Sequence, residues 1–93
     1  MTRVRYEPTI PALEMDGHAG AGEYGRDPVC AALSILLFTL LDANDAATAH
    51  FADGYARISG GRKRDYALMA RGARLLAENY PQYVGYEEIK NEK

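Results

Sequence analysis

Polar and apolar positions alternate at the start of the chain. Across Thr2–Glu7, Val4 and Tyr6 fall on one side and Arg3 and Arg5 on the other, the period of a half-buried strand. Pro8 and Pro11 confine the next residues to a connection, because neither can donate to a β-ladder. Alternation resumes over Ala12–Met15 with Leu13 and Met15 inward, so the two segments are expected to pair as an antiparallel hairpin. Asp16-Gly17 ends the second strand.

The period changes at Asp27-Pro28. Aspartate is a favoured N-cap, and proline suits the first helical position because its missing N–H would have no partner there. The helix expected over Pro28–Leu41 is apolar almost all round, with Val29, Leu33, Ile35, Leu36, Leu37, Phe38, Leu40 and Leu41. Such a helix needs cover on most sides: the sheet beneath, and a second helix or a partner subunit on its flank. Thr48–Phe51 and Tyr55–Ser59, joined by Ala52-Asp53-Gly54, fit a second hairpin with a glycine-assisted turn. After the loop "SGGRKR", Asp65 opens a second helix that Pro81 stops. Leu68, Met69, Gly72, Ala73, Leu75, Leu76 and Tyr80 make its expected inward stripe, with Arg71, Arg74 and Glu78 on the wet side. "QYVGYEEI" fits a further short strand. The order β-β-α-β-β-α predicts an α+β fold: a two-layer domain whose small, mostly antiparallel sheet is packed by two helices.

Size and composition narrow the rest. At 93 residues the chain is expected to form one domain with one core. A net charge of −2 gives no global attraction to nucleic acid or anionic membranes, so no direct nucleic-acid binding is expected. The basic run Gly61–Arg64 reads first as a solvated loop. A single cysteine makes no internal disulfide and fits a reducing compartment. No signal-peptide run opens the chain, and the longest apolar stretch is too short to span a bilayer. A cytoplasmic protein without a membrane role is the expectation.

The chemistry concentrates in "DGHAGAGEYGRDPVC", Asp16 to Cys30, which holds four of the nine glycines. Its "GAGEYG" matches the dinucleotide fingerprint letter for letter. That motif needs a helix opening within the glycines, whereas here the helix waits for Asp27-Pro28 and a carboxylate stands where phosphate should sit. His18, Cys30 and His50 are too few and too irregularly spaced for a structural zinc site, and no cofactor is called for. The thiol fares better. With Asp27 as cap, Cys30 occupies the first helical turn, where the macrodipole favours a thiolate. Gly17, Gly20, Gly22 and Gly25 permit a sharp turn that folds His18 back over the helix start, and they leave room for an extended peptide. First-turn amides beside the sulfur would offer an oxyanion hole, and Ser34 lies one turn on, along the same face. A lone cysteine in an apolar helix is nonetheless more often a small buried hydrophobe. The residues alone leave both readings open.

"GHAGAGEYGRDPVCAALS", Gly17 to Ser34, resembles the signature of the ribosomal-processing cysteine protease family, Prp: Gly-His-Ala, then Gly-x-Asp shortly before the cysteine, then Cys-Ala-Ala-x-Ser. Gly17, His18, Ala19, Gly25, Asp27, Cys30, Ala31, Ala32 and Ser34 carry the match, and "GARLLAENYPQYV" is similar to the family's closing helix and Tyr-Pro-x-Tyr. The resemblance implies a cysteine endopeptidase with His18 as general base and Cys30 as nucleophile. Asp27 and Ser34 would support them, and a substrate loop would contain Gly17, Ala19, Gly20, Gly22 and Gly25. It implies a peptide partner, the extended N-terminus of a large-subunit ribosomal protein, and a homodimeric assembly. The alternatives within the same likeness are a phage-type maturation protease acting on capsid or scaffold protein, and a non-catalytic ribosome-associated module.

Overall fold

A computed structural model describes residues 1–23 and 26–90. Five strands and two helices follow one another as β1 (Thr2–Glu7), β2 (Ala12–Asp16), α1 (Pro28–Ala43), β3 (Thr48–Ala52), β4 (Tyr55–Ser59), α2 (Lys63–Asn79) and β5 (Val84–Glu88). The strands form one sheet in the order β3-β4-β2-β1-β5. Both hairpins form as the alternation predicts, Val4 opposite Met15 and Phe51 opposite Ala56, and β2 pairs antiparallel with β4. The closing segment adds β5 alongside β1 in parallel, with Thr2 opposite Val84, so the α+β sheet is mixed at one edge.

Alternation sends Val4, Tyr6, Leu13, Met15, Ala56, Ile58 and Val84 to a single face, where they form one core with Val29, Leu33, Leu37 and Leu40 of α1 and Tyr66, Ala70 and Ala73 of α2. The other face carries ion pairs: Arg5 with Glu87 (2.8 Å) and Glu14 (3.6 Å), and Arg57 with Glu7 (3.2 Å). α1 lies over β4, and α2 over β1, β2 and β5.

One expectation about the helices is corrected in part. Of the expected α2 stripe, Ala73 is buried and Met69 and Leu76 pack against the core, joined by Tyr66 and Ala70, while Leu68 and Leu75 face outward, 61% and 51% exposed. Small alanines line the side of α2 that faces the sheet, and the fully buried Tyr66 donates its hydroxyl to the carbonyl of Gly60. Within this chain α1 is covered over part of its surface. One flank meets α2, where a Cβ on Gly72 would come within 2.8 Å of Leu36. Ile35 and Phe38 remain 59% and 54% exposed.

The junction between α1 and α2 is polar and satisfied. Buried Asn44 donates to Leu40 O (3.0 Å) and to Asp65 Oδ2 (3.1 Å), and accepts the N–H of Arg62 (2.9 Å). Arg62 also bonds Asp65 and the carbonyl of Ala43, so part of the basic run is occupied in joining the helices.

Candidate active site

The site is assembled where three elements end on the same side of the sheet. β2 closes at Asp16, the β3–β4 turn lies beside it through the pairing of Asp16 with Tyr55, and α1 begins above them. Gly17 leaves β2 with φ +96°, and its N–H donates to Gly54 O at 2.7 Å. A side chain at Gly17 would strike the carbonyl oxygen of Met1 at 2.4 Å, so only glycine lets the start of β1 pack here. His18 follows directly. Its imidazole lies against Gly54, with Nε2 3.8 Å from Asp53 Oδ1.

Ala19 turns its methyl into the core at 2% exposure and donates its N–H to Cys30 Sγ at 3.3 Å. The residue after the histidine is thus bonded to the sulfur. This closes the eleven-residue separation that the sequence left to the glycines. Amide and sulfur meet at the first turn of α1.

Asp27 organises the other side. Its Oδ1 accepts the N–H groups of Val29 (2.9 Å) and Cys30 (3.1 Å), as an N-cap should, while Oδ2 accepts Ala21 N–H (2.9 Å) and ties the glycine loop to the helix. These donors, the Cys30 N–H foremost, hold its carboxyl below the usual aspartate value against an opposing cost of burial. One expectation falls here. Val29 and Cys30 give their amides to Asp27 Oδ1, Ala31 gives its own to Asp27 O, and Pro28 has none, so the first-turn amides do not form a free oxyanion hole. The amide beside the sulfur comes from the loop, at Ala19.

His18, Cys30, Asp27 and Ser34 line one cavity of about 600 Å³, together with Gly17, Gly20 and Gly22. Its walls are apolar where Met15, Leu33, Leu37 and Ala56 contribute. A Cβ on Gly22 would approach Arg26 O to 2.8 Å, a backbone clash that reserves this position for glycine. Gly25 lies outside the described residues. The sequence missed Asp53, Gly54 and Tyr55 as site residues. The signal was a turn dipeptide with only its local meaning, because nothing nearby in the chain announces that the turn abuts His18. Tyr55 donates to Glu14 Oε1 at 2.6 Å, and that bond to a carboxylate raises its phenol. Among the described residues no three of His, Cys, Asp and Glu gather as a metal site would, and no helix is long and apolar enough to cross a membrane.

The family model of the cysteine protease Prp matches residues 1–85. The chain belongs to the Prp family of cysteine proteases. Solved structures with the same fold include the essential ribosomal processing protease Prp from S. aureus in complex with a covalently linked product peptide. It shares 24% identity over 96% of this chain and 100% of that one, with a TM-score of 0.84. The same S. aureus protease with a substrate peptide gives 22% identity, 96% and 100% coverage and a TM-score of 0.75. SMU.848 from Streptococcus mutans gives 29% identity, 97% and 93% coverage and a TM-score of 0.71. A search of curated proteins finds no match. Cys30 is the one cysteine of the sequence.

Proposed function

We propose that this Prp protease is a single-domain endopeptidase whose His18–Cys30 dyad removes the N-terminal extension of a large-subunit ribosomal protein in the cytoplasm. The observation that carries the dyad is the 3.3 Å bond from Ala19 N–H to Cys30 Sγ, which holds the histidine's own loop against the thiol. The substrate class rests on the S. aureus relative, described as a ribosomal processing protease.

In this reading His18 takes the thiol proton as Cys30 Sγ bonds to the scissile carbonyl carbon. The tetrahedral oxyanion collapses to a thioester, and the imidazolium returns the proton to the departing amine. Water, deprotonated by the same imidazole, then cleaves the thioester and restores the thiol. Ala19 N–H is the donor nearest the reacting centre and serves the oxyanion once sulfur has engaged the carbonyl. The glycines leave a smooth channel for an extended backbone, and the apolar wall receives a side chain next to the scissile bond. A homodimer belongs to the same proposal, with the exposed apolar flank of Ile35 and Leu75 as the surface available to a second copy.

The test is to incubate the protein with a synthetic peptide spanning such an extension and read the product masses. Cleavage at one bond is expected, abolished in Cys30→Ala and in His18→Ala with circular dichroism unchanged. Cleavage that persists in either variant refutes the dyad.

A further inference from the structure

Two carboxylates beside the proposed dyad face different partners. Asp27 directs its two oxygens to three backbone amides, two in α1 and one in the glycine loop. Its charge is committed to the thiol's helix. Asp53, at the tip of the β3–β4 hairpin, instead presents Oδ1 to Nε2 of His18 at 3.8 Å. From this geometry we propose that Asp53 is a positioning residue for the histidine, acting through His18 without touching substrate. The proposal rests on the dyad reading.

The placement follows from a single cross-link. Gly17 N–H donates to Gly54 O at 2.7 Å, and His18 and Asp53 are the immediate chain neighbours of that bonded pair, one on each side. The imidazole rests on Gly54, where a Cβ would come within 3.2 Å of Nε2. Gly54 has φ +67°, as a tight hairpin turn requires, so the glycine serves both the turn and the seat of the ring. Histidine and carboxylate therefore move as one unit with the β2–β4 pairing.

The consequence is electrostatic. When Cys30 gives up its proton, His18 becomes a cation, and a carboxylate facing Nε2 stabilises that cation and fixes the rotation of the ring. Asp53 keeps its charge throughout, and the proton remains on the imidazole until the amine leaves. In this proposal the second ring nitrogen, Nδ1, exchanges with sulfur. In the open site both partners meet water, with side chains 57% and 96% exposed, and screening limits such a pair to a small effect. A peptide lying across the cavity covers the imidazole and displaces water, so the attraction strengthens in the enzyme–substrate complex. The effect is expected in kcat more than in KM.

Asp53→Asn removes the charge and keeps the turn, because Asn-Gly is itself a preferred hairpin pair. With the synthetic extension peptide, Asp53→Asn is expected to lower kcat about three- to five-fold with KM unchanged. Alkylation of Cys30 by iodoacetamide in the free protein should slow by a smaller factor. Asp53→Glu, which restores the charge one methylene further out, should recover most of the loss. The proposal is overturned if Asp53→Asn turns over like the wild type, if the loss is confined to KM, or if Glu and Asn are equally impaired. In the same assay His18→Ala and Cys30→Ala report on the dyad separately. Their inactivity beside an unimpaired Asp53→Asn removes this inference alone, whereas full activity in either removes the dyad itself.

Discussion

Asp27 Oδ2 accepts the backbone N–H of Ala21 at 2.9 Å while the same carboxylate caps α1. One side chain thus fixes both the start of the helix that carries the thiol and the loop that returns from the histidine. Its hydrogen bonds favour the charged form, which makes its contribution to stability dependent on pH.

The sign is set by the direction of the shift. The carboxyl lies below its ordinary 3.8 in the folded protein, so the fold gains from the charge at pH values above 3.8. That gain disappears as pH falls through the lower, folded value. In urea denaturation at a series of pH values, Asp27→Asn should be less stable than wild type at neutral pH. The gap should close below 3.8.

A methyl group at Gly54 would meet His18 Nε2 at 3.2 Å and would sit on a backbone with φ +67°. Gly54→Ala is therefore expected to tilt the imidazole and strain the hairpin. Peptide cleavage should drop on the order of 10- to 100-fold, with far-ultraviolet circular dichroism largely retained.

Asn44 is 2% exposed and connects the end of α1 to Arg62 and Asp65. Asn44→Ala leaves buried partners without their bonds, a loss of about 1–3 kcal/mol in unfolding free energy. Equilibrium denaturation measures it. Cleavage per folded molecule should stay at the wild-type level, because the junction lies at the end of α1 remote from Cys30.

Ile35 and Leu75 are 59% and 51% exposed and line one groove between α1 and α2. Ile35→Glu or Leu75→Glu places charge on a surface already in contact with water, so the monomer should keep its stability. Sedimentation velocity should show the wild type as a dimer and each variant as a monomer. A wild type that sediments as a monomer over the working concentration range refutes the assembly.

The chain spelled out its local structure. Val4 and Tyr6 alternate with arginines because a strand shows successive side chains to opposite faces. Asp27-Pro28 begins a helix because cap and first position have chemical requirements met by neighbours in sequence. Even the commitment of the α1 amides was implicit in that cap, since an aspartate that starts a helix consumes the N–H groups it attracts. The resemblance to the Prp family, read from Gly17–Ser34, holds, since the family model matches residues 1–85.

Other features required the assembled fold. Leu68 and Leu75 look like core residues at helical spacing, yet α2 sits close enough to the sheet that Ala70 and Ala73 fill the inner face. The parallel pairing of β5 with β1 joins the two ends of the described chain, which no short-range pattern encodes. Asp53 reads as a turn residue until β2–β4 pairing carries it to His18, thirty-five positions away along the chain. Periodicity and capping depend on neighbours within a few residues, and these the sequence determined by itself. Which carboxylate faces the histidine depends on strand order and packing distance, and only the tertiary structure decided that.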